Sequence, residues 1–217
     1  MKPDVCIYHA NCADGFGAAW AVWKRFGDAV EYVPAGYGSE PPDVAGKSVV
    51  MVDFSYKYDV LAAMSWKARR IVILDHHKSA AEDLVRLVSF DGTEAGIDVA
   101  VHEGCWTQNN PEIVACFDME RSGAGMAWDF FVGGARPPLI DHVEDRDLWR
   151  YQLEGTREIQ AVVFSHPYDF DVWSDLVARS QADRDRGNMI EEGAAIERKH
   201  HKDVAELVSA FKRRMTI

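Results

Sequence analysis

The stretch Ile71-Val72-Ile73-Leu74-Asp75-His76-His77-Lys78 decides how this chain is read. Four apolar, mostly β-branched residues make a run as short as a strand and apolar on both faces, as in a parallel sheet. The run ends abruptly in a carboxylate and two imidazoles. Open α/β sheets place their ligands at the carboxyl ends of strands. Acid and imidazole together at that edge suit a divalent metal that works on phosphate. A strand end that is merely polar and solvated is the plainer alternative.

Two further strand ends repeat the layout. In Val5-Cys6-Ile7-Tyr8-His9-Ala10-Asn11-Cys12-Ala13-Asp14-Gly15-Phe16-Gly17 an apolar run breaks into a loop carrying His9, Asn11, Cys12 and Asp14. Gly15 and Gly17 then open a helical stretch, where glycine permits tight turning and close approach. A helix beginning there aims free amides at an anion, while Asp14 equally suits a helix cap. The glycine spacing is not that of a dinucleotide fingerprint. In Ser48-Val49-Val50-Met51-Val52-Asp53-Phe54-Ser55 another buried-type strand delivers one carboxylate. A single Asp after a strand is usually a turn former. Three strands each ending in Asp, two with His as well, converge on one cleft.

The order His9…Asp14-Gly15, Val52-Asp53, Asp75-His76-His77 resembles the DHH phosphoesterase superfamily. That group includes RecJ-type exonucleases, oligoribonucleases, cyclic-dinucleotide phosphodiesterases and family II pyrophosphatases. A fourth motif, an Asp near a helix-to-helix transition, is matched by Leu139-Ile140-Asp141-His142-Val143-Glu144-Asp145-Arg146-Asp147-Leu148-Trp149. The resemblance implies a pair of divalent ions, usually Mn2+, with Mg2+ as the alternative. Asp53 would bridge them and His9 would bind the first. Asp14, His76 and Asp145 would complete the second, Asp145 being preferred to Asp147 by alignment with the motif. Asp75 would orient an imidazole, and His77 would face the scissile phosphate as donor or acid. The implied chemistry is phosphoester hydrolysis by a two-metal mechanism.

The family's first motif carries two aspartates one residue apart, and the earlier position is Cys12 here. Cysteine favours zinc over manganese or magnesium, and Asn11 offers only a neutral oxygen. The first site is therefore weaker, uses Asn11, or prefers another ion. Many relatives also carry a C-terminal substrate domain with a GGGH-like motif, and none lies between Arg150 and Ile217. Either core and helices alone grip the substrate, or this is a shortened member, or a partner chain closes the cleft. Arg121-Ser122-Gly123-Ala124-Gly125 offers an Arg and the amides of Ser122 and Gly123 to a second phosphate, or simply a capped helix entrance. Arg146 is a candidate phosphate contact beside Asp145, or half of a solvated ion pair.

Composition bounds the rest. The 217 residues include 47% hydrophobic and 27% charged, ordinary for a globular chain with a substantial core. No apolar run is long enough to span a membrane. Met1-Lys2-Pro3-Asp4 leads straight into a strand rather than a secretory signal, and Cys6, Cys12, Cys105 and Cys116 show no CxxC spacing. Reduced thiols in a cytoplasm are expected. The formal net charge of -11 argues against a long duplex, because duplex binding needs a basic face. A short oligonucleotide or small phosphate ester is compatible, with metal supplying local positive charge. A homo-oligomer is compatible as well.

The expected fold is α/β, a doubly wound and mostly parallel sheet over residues 1–150, followed by a helical region over 151–217. Strands are expected at Val5–Tyr8, Val30–Pro34, Ser48–Phe54, Ile71–Leu74 and Val85–Phe90, with a short one at Ile97–His102. Helices are expected at Gly17–Phe26, Tyr58–Lys67, Ser79–Leu84, Met126–Val132, Pro137–Asp145, Glu158–Ser165, Trp173–Ala182 and Asp185–Arg213. In the last, Ile190, Ala194, Ile196, Val204, Leu207, Val208 and Phe211 mark an apolar face. Lys199-His200-His201-Lys202 reads as a solvated face, and Lys212-Arg213-Arg214 suits the negative end of that helix. Trp128, Phe130, Phe131, Trp149 and Trp173 read as core, and His102, His142 and His166 as structural. The competing functions are a metal-dependent phosphohydrolase, pyrophosphatase-like hydrolysis included, and a non-catalytic protein that binds a nucleotide or partner.

Overall fold

In a computed structural model of the chain, residues 1–106 and 113–211 are described. Strands β1 (Val5–His9), β2 (Glu31–Ala35), β3 (Ser48–Val52), β4 (Arg70–Asp75), β5 (Val88–Ser89) and β6 (Ile113–Phe117) form one sheet ordered β2-β1-β3-β4-β6-β5. Every pairing is parallel. The doubly wound α/β expectation holds.

Strand side chains alternate between faces, and the two apolar clusters record this. Val50, Val52, Val72, Leu74 and Val114 enter one cluster, and Val49, Met51, Ile71, Ile73 and Ile113 the other. Each buried side chain of this size is worth about 1.5–3 kcal/mol. The first cluster lies under α1 (Ala13–Phe26), α5 (Gly123–Phe131) and α6 (Pro138–Asp147). Ile97 and Ala100 of α4 (Glu94–Trp106) join them. The second is capped by Leu61 and Met64 of α2 (Tyr58–Ser65) and by Leu84, just after α3 (Lys78–Asp83). Helices on both faces explain why these strands read as unbroken apolar runs.

The chain after 150 forms α7 (Thr156–Phe164), α8 (Phe170–Gln181) and α9 (Asp183–Phe211). Ile159, Val162, Trp173, Leu176 and Met189 enter the first cluster, and Trp20 Nε1 donates to Ser174 Oγ at 3.0 Å. The C-terminal helices thus complete the core laid down by α1 and α5. The apolar face expected along α9 is used only at its start. Val204, Leu207, Val208 and Phe211 are exposed, as are Lys199 through Lys202. Lys212-Arg213-Arg214 lies outside the described residues.

Three expectations change, and one strand is added. Ile97–His102 is not a strand but part of α4. Thr93 caps that helix by accepting from Gly96 N, while Asp91 Oδ1 holds Thr93. Val85–Phe90 contributes only the two residues of β5, and Val85 is exposed. The run Ile113-Val114-Ala115-Cys116-Phe117 is a full strand between β4 and β5. Trp149 is not core: it is 80% exposed, on backbone of φ 56°.

Candidate metal centre

From β1 the chain passes to β2 on one side and returns to β3 on the other, so β1 and β3 flank the switch in strand order. A crevice opens at the carboxyl ends there. His9 ends β1, Asp53 follows β3, Asp75 ends β4, and His76 and His77 follow it. His9, Asp53 and His77 form one group able to offer ligand atoms within 4.8 Å of one another. Asp14, Asp53 and His76 form a second, so Asp53 belongs to both.

The backbone is shaped for this approach. Asp53 sits at φ 54°, unusual for a residue with a side chain, and donates its amide to Leu74 O. A Cβ on Gly123 would stand 2.3 Å from Asp53 Cβ, so only glycine lets α5 start against Asp53. A Cβ on Gly15 would stand 2.3 Å from His9 O, which requires glycine there too. α1 begins at Ala13, four residues earlier than expected, and this brings Asp14 into its first turn.

Asp14 is buried, and both its oxygens are used. Oδ2 accepts from Gly123 N at 2.7 Å and Oδ1 from Ala124 N at 2.8 Å. The first amides of α5 thus hold a protein carboxylate at the positive end of the helix. This corrects the substrate-binding expectation for Ser122 and Gly123. Ser122 is buried, donates its amide to Glu144 Oε2 at 3.0 Å and caps α5 with its hydroxyl. Arg121 is committed to Asp118 and Asp129. Arg146, the expected phosphate contact, lies over the Phe164 ring at 4.7 Å.

His76 Nε2 lies 3.0 Å from Asp53 Oδ1 and 3.4 Å from both Asp14 Oδ2 and Asp147 Oδ2. Three carboxylates meet one imidazole nitrogen. The expected ligand Asp145 is not among them. Its Oδ1 accepts from Gln152 N at 2.8 Å, and its Oδ2 from Leu153 N at 3.1 Å and Thr156 Oγ1 at 2.6 Å. Asp145 ties down the turn after α6, and Asp147 reaches the cluster. Ile140, Val143 and Asp147 fall on one face of α6, the spacing that could have singled out Asp147.

Asp75, expected to orient an imidazole, is hydrogen-bonded to that of His77. Its Oδ1 accepts from the amides of His76 and His77 and from His77 Nδ1 at 2.7 Å, and its Oδ2 accepts from Ser55 Oγ. A carboxylate only accepts, so His77 Nδ1 carries the proton and Nε2 is left for a ligand or substrate.

The charges are poorly balanced without a cation. Burial, then Asp53 and Asp147, push the Asp14 carboxyl well up. Burial and Asp53 raise Asp147. Burial also acts to raise Asp53, but His76 and His9 outweigh it and hold it at about 2. Burial opposes charge on His76, yet Asp53 and Asp14 lift it to about 9. Asp53 first, then the Cys12 thiol, raise His9 to about 10. His9 Nδ1 and Asp53 Oδ2 are buried 3.5 Å apart, an ion-pair distance, and neither has a hydrogen-bond partner among the described residues. The imidazole and carboxylate face each other without a hydrogen bond, which leaves both able to take a further partner. Oxygen and imidazole donors facing unpaired negative charge fit a hard divalent ion. Cys12 touches this side without joining either group, and Asn11 is exposed on left-handed backbone of φ 54°.

Among the described residues no helix is long and apolar enough to cross a membrane. No family profile matches the chain, and no solved structure matches it. The chain is 28% identical over 198 residues to an uncharacterized protein of Acanthamoeba polyphaga mimivirus, a match covering 83% of this chain. The chain spans 42% of the length of that relative.

Proposed function

We propose that this protein is a metal-dependent phosphohydrolase of the DHH type, acting on phosphodiester or phosphate ester bonds in short nucleotides. The observation that carries the proposal is Asp53, one buried carboxylate shared by two donor groups at a switch-point crevice. His9, Asp53 and His77 would hold one ion. Asp14, Asp53, His76 and Asp147 would hold the other. Divalent ions such as Mn2+ or Mg2+ supply positive charge to a phosphate and activate water near neutral pH.

The chain's own residues do the rest. Asp53 keeps both donor groups at one point of the sheet edge. Asp14, anchored on α5, fixes the position of its group. Asp75 holds the Nδ1 proton of His77, so that Nε2 keeps its lone pair for the ion of that group. The acidic balance of the chain fits a small substrate better than a duplex. Free Cys6, Cys12 and Cys116 fit a reducing compartment, the cytoplasm.

A non-catalytic binder has one observation in its favour: Cys12 stands where the family it resembles carries an aspartate. Hydrolysis of a short labelled oligoribonucleotide and of a bis-aryl phosphate, with added Mn2+, separates the two. We expect turnover in the wild type and none in Asp53→Ala. Metal bound at full stoichiometry with no turnover on either substrate would favour the binder.

A further inference from the structure

Beside the metal centre lies a cavity of about 220 Å³ that the hydrolytic chemistry does not use. It sits between the 36–47 loop, the turn after β3 and α3. Its walls include the rings of Tyr37, Phe54 and Tyr56. It adjoins the centre directly: Phe54 follows Asp53 and stacks on His9 at 6.2 Å, and Tyr37 meets His9 edge-on at 5.8 Å. Tyr37 is 67% exposed, a large ring kept in solvent at the mouth of a pocket.

The lining selects the occupant. The volume is below the ~300–1,000 Å³ of pockets for drug-sized ligands, which leaves room for a single ring system. Lys57 lies 3.9 Å from Asp83, and Glu40 adds a second carboxylate. Fixed charge is therefore net negative, and a second phosphate would be repelled. Of the three lining serines, Ser55 is held by Asp75 and Ser39 by Gly36, and Ser79 adds a hydroxyl beside the rings. Aromatic faces with a hydroxyl and no surplus cation suit a neutral, flat, polar ring.

We propose that this cavity is a nucleobase subsite, holding the base of a nucleotide whose phosphate lies at the metal centre. The inference rests on the phosphate-ester reading of that centre. Tyr37 and Phe54 form its wall toward His9, and Tyr37 is the residue that sets preference for base-bearing substrates.

The test is calorimetric binding to the Mn2+-loaded protein of three probes: adenosine 5′-monophosphate, ribose 5-phosphate and adenosine. Wild type is compared with Tyr37→Ala, which removes an exposed ring, and with Ala80→Trp, which fills the cavity from α3. We expect the nucleotide to bind about 10-fold or more tightly than the sugar phosphate, as stacking of one base provides. That preference collapses in both variants. Equal affinity for the two phosphates, or a preference that survives both variants, overturns the subsite. If neither phosphate compound binds while adenosine binds wild type alone, the subsite stands and the phosphate reading of the centre fails. No binding of any probe overturns both.

Discussion

On one side of Asp53, Asp14 is fully buried with both oxygens held by the α5 amides, and His76 Nε2 touches three carboxylates. On the other, His9 Nδ1 has no hydrogen-bond partner among the described residues, the His9 and His77 side chains are 23% and 30% exposed, and a cysteine stands nearby. The first half is anchored by backbone amides, mostly buried and rich in negative charge. The second is open and leans on a single carboxylate. A buried, anchored set of anions holds a cation more tightly than an open one, so the two halves of one centre should bind metal with unequal strength.

The comparison breaks most completely at the shared residue. Asp53→Ala removes a ligand from both halves, and metal titration should show neither tight nor weak binding. Next comes Asp14→Ala. It takes the acceptor from two buried amides, so the metal-free protein should lose about 2–4 kcal/mol in urea denaturation. His9→Ala, on the open side, should cost under about 1 kcal/mol. It should reduce stoichiometry by one ion and leave the tight ion in place. Equal losses from the two substitutions would end the distinction.

Acidity sharpens the contrast. His76 and His9 must be neutral to bind metal, and in the metal-free protein they titrate near 9 and 10. Metal affinity should therefore rise with pH until about 9 to 10, with protons released on binding. Stability of the metal-free protein should run the other way. Both folded values lie above the unfolded value near 6.5, so their stabilisation is complete below about 6.5 and lost as pH rises through 9 to 10. Chemical denaturation with chelator, at pH 6.5 and pH 9.5, checks the sign. The smallest effect is Cys12→Asp. An aspartate at this N-cap position should add about 0.5–1 kcal/mol. It should also tighten the weaker ion about 10-fold.

The parts of the centre legible in the sequence are those the backbone delivers at a strand end. Asp53, Asp75, His76 and His77 follow apolar runs directly, and a short strand leaves little freedom in where its next residue points. Asp145 and Asp147 lie in a helix, where two positions apart means nearly opposite faces. The choice then depends on the phase of α6, set by Ile140 and Val143 packing under α1 rather than by any motif. α4 was obscured by Ile97, Val99 and Val101, whose alternation reads as strand; the capping by Thr93 outweighs it. The competition for the α5 amides was invisible, because Asp14 and Gly123 meet only through tertiary packing.

The Asp14 clamp has a bearing on how the centre is loaded. Its ligands are held together by amides, by Asp75 and by the sheet, so an ion that leaves does not take the geometry with it. Metal loading, on the proposed reading, would be a simple exchange of protons for an ion on a standing frame, with no segment to refold. Protein treated with chelator should then take up added Mn2+ as fast as the two are mixed, and the free metal level, rather than refolding, would set how much of the protein is loaded.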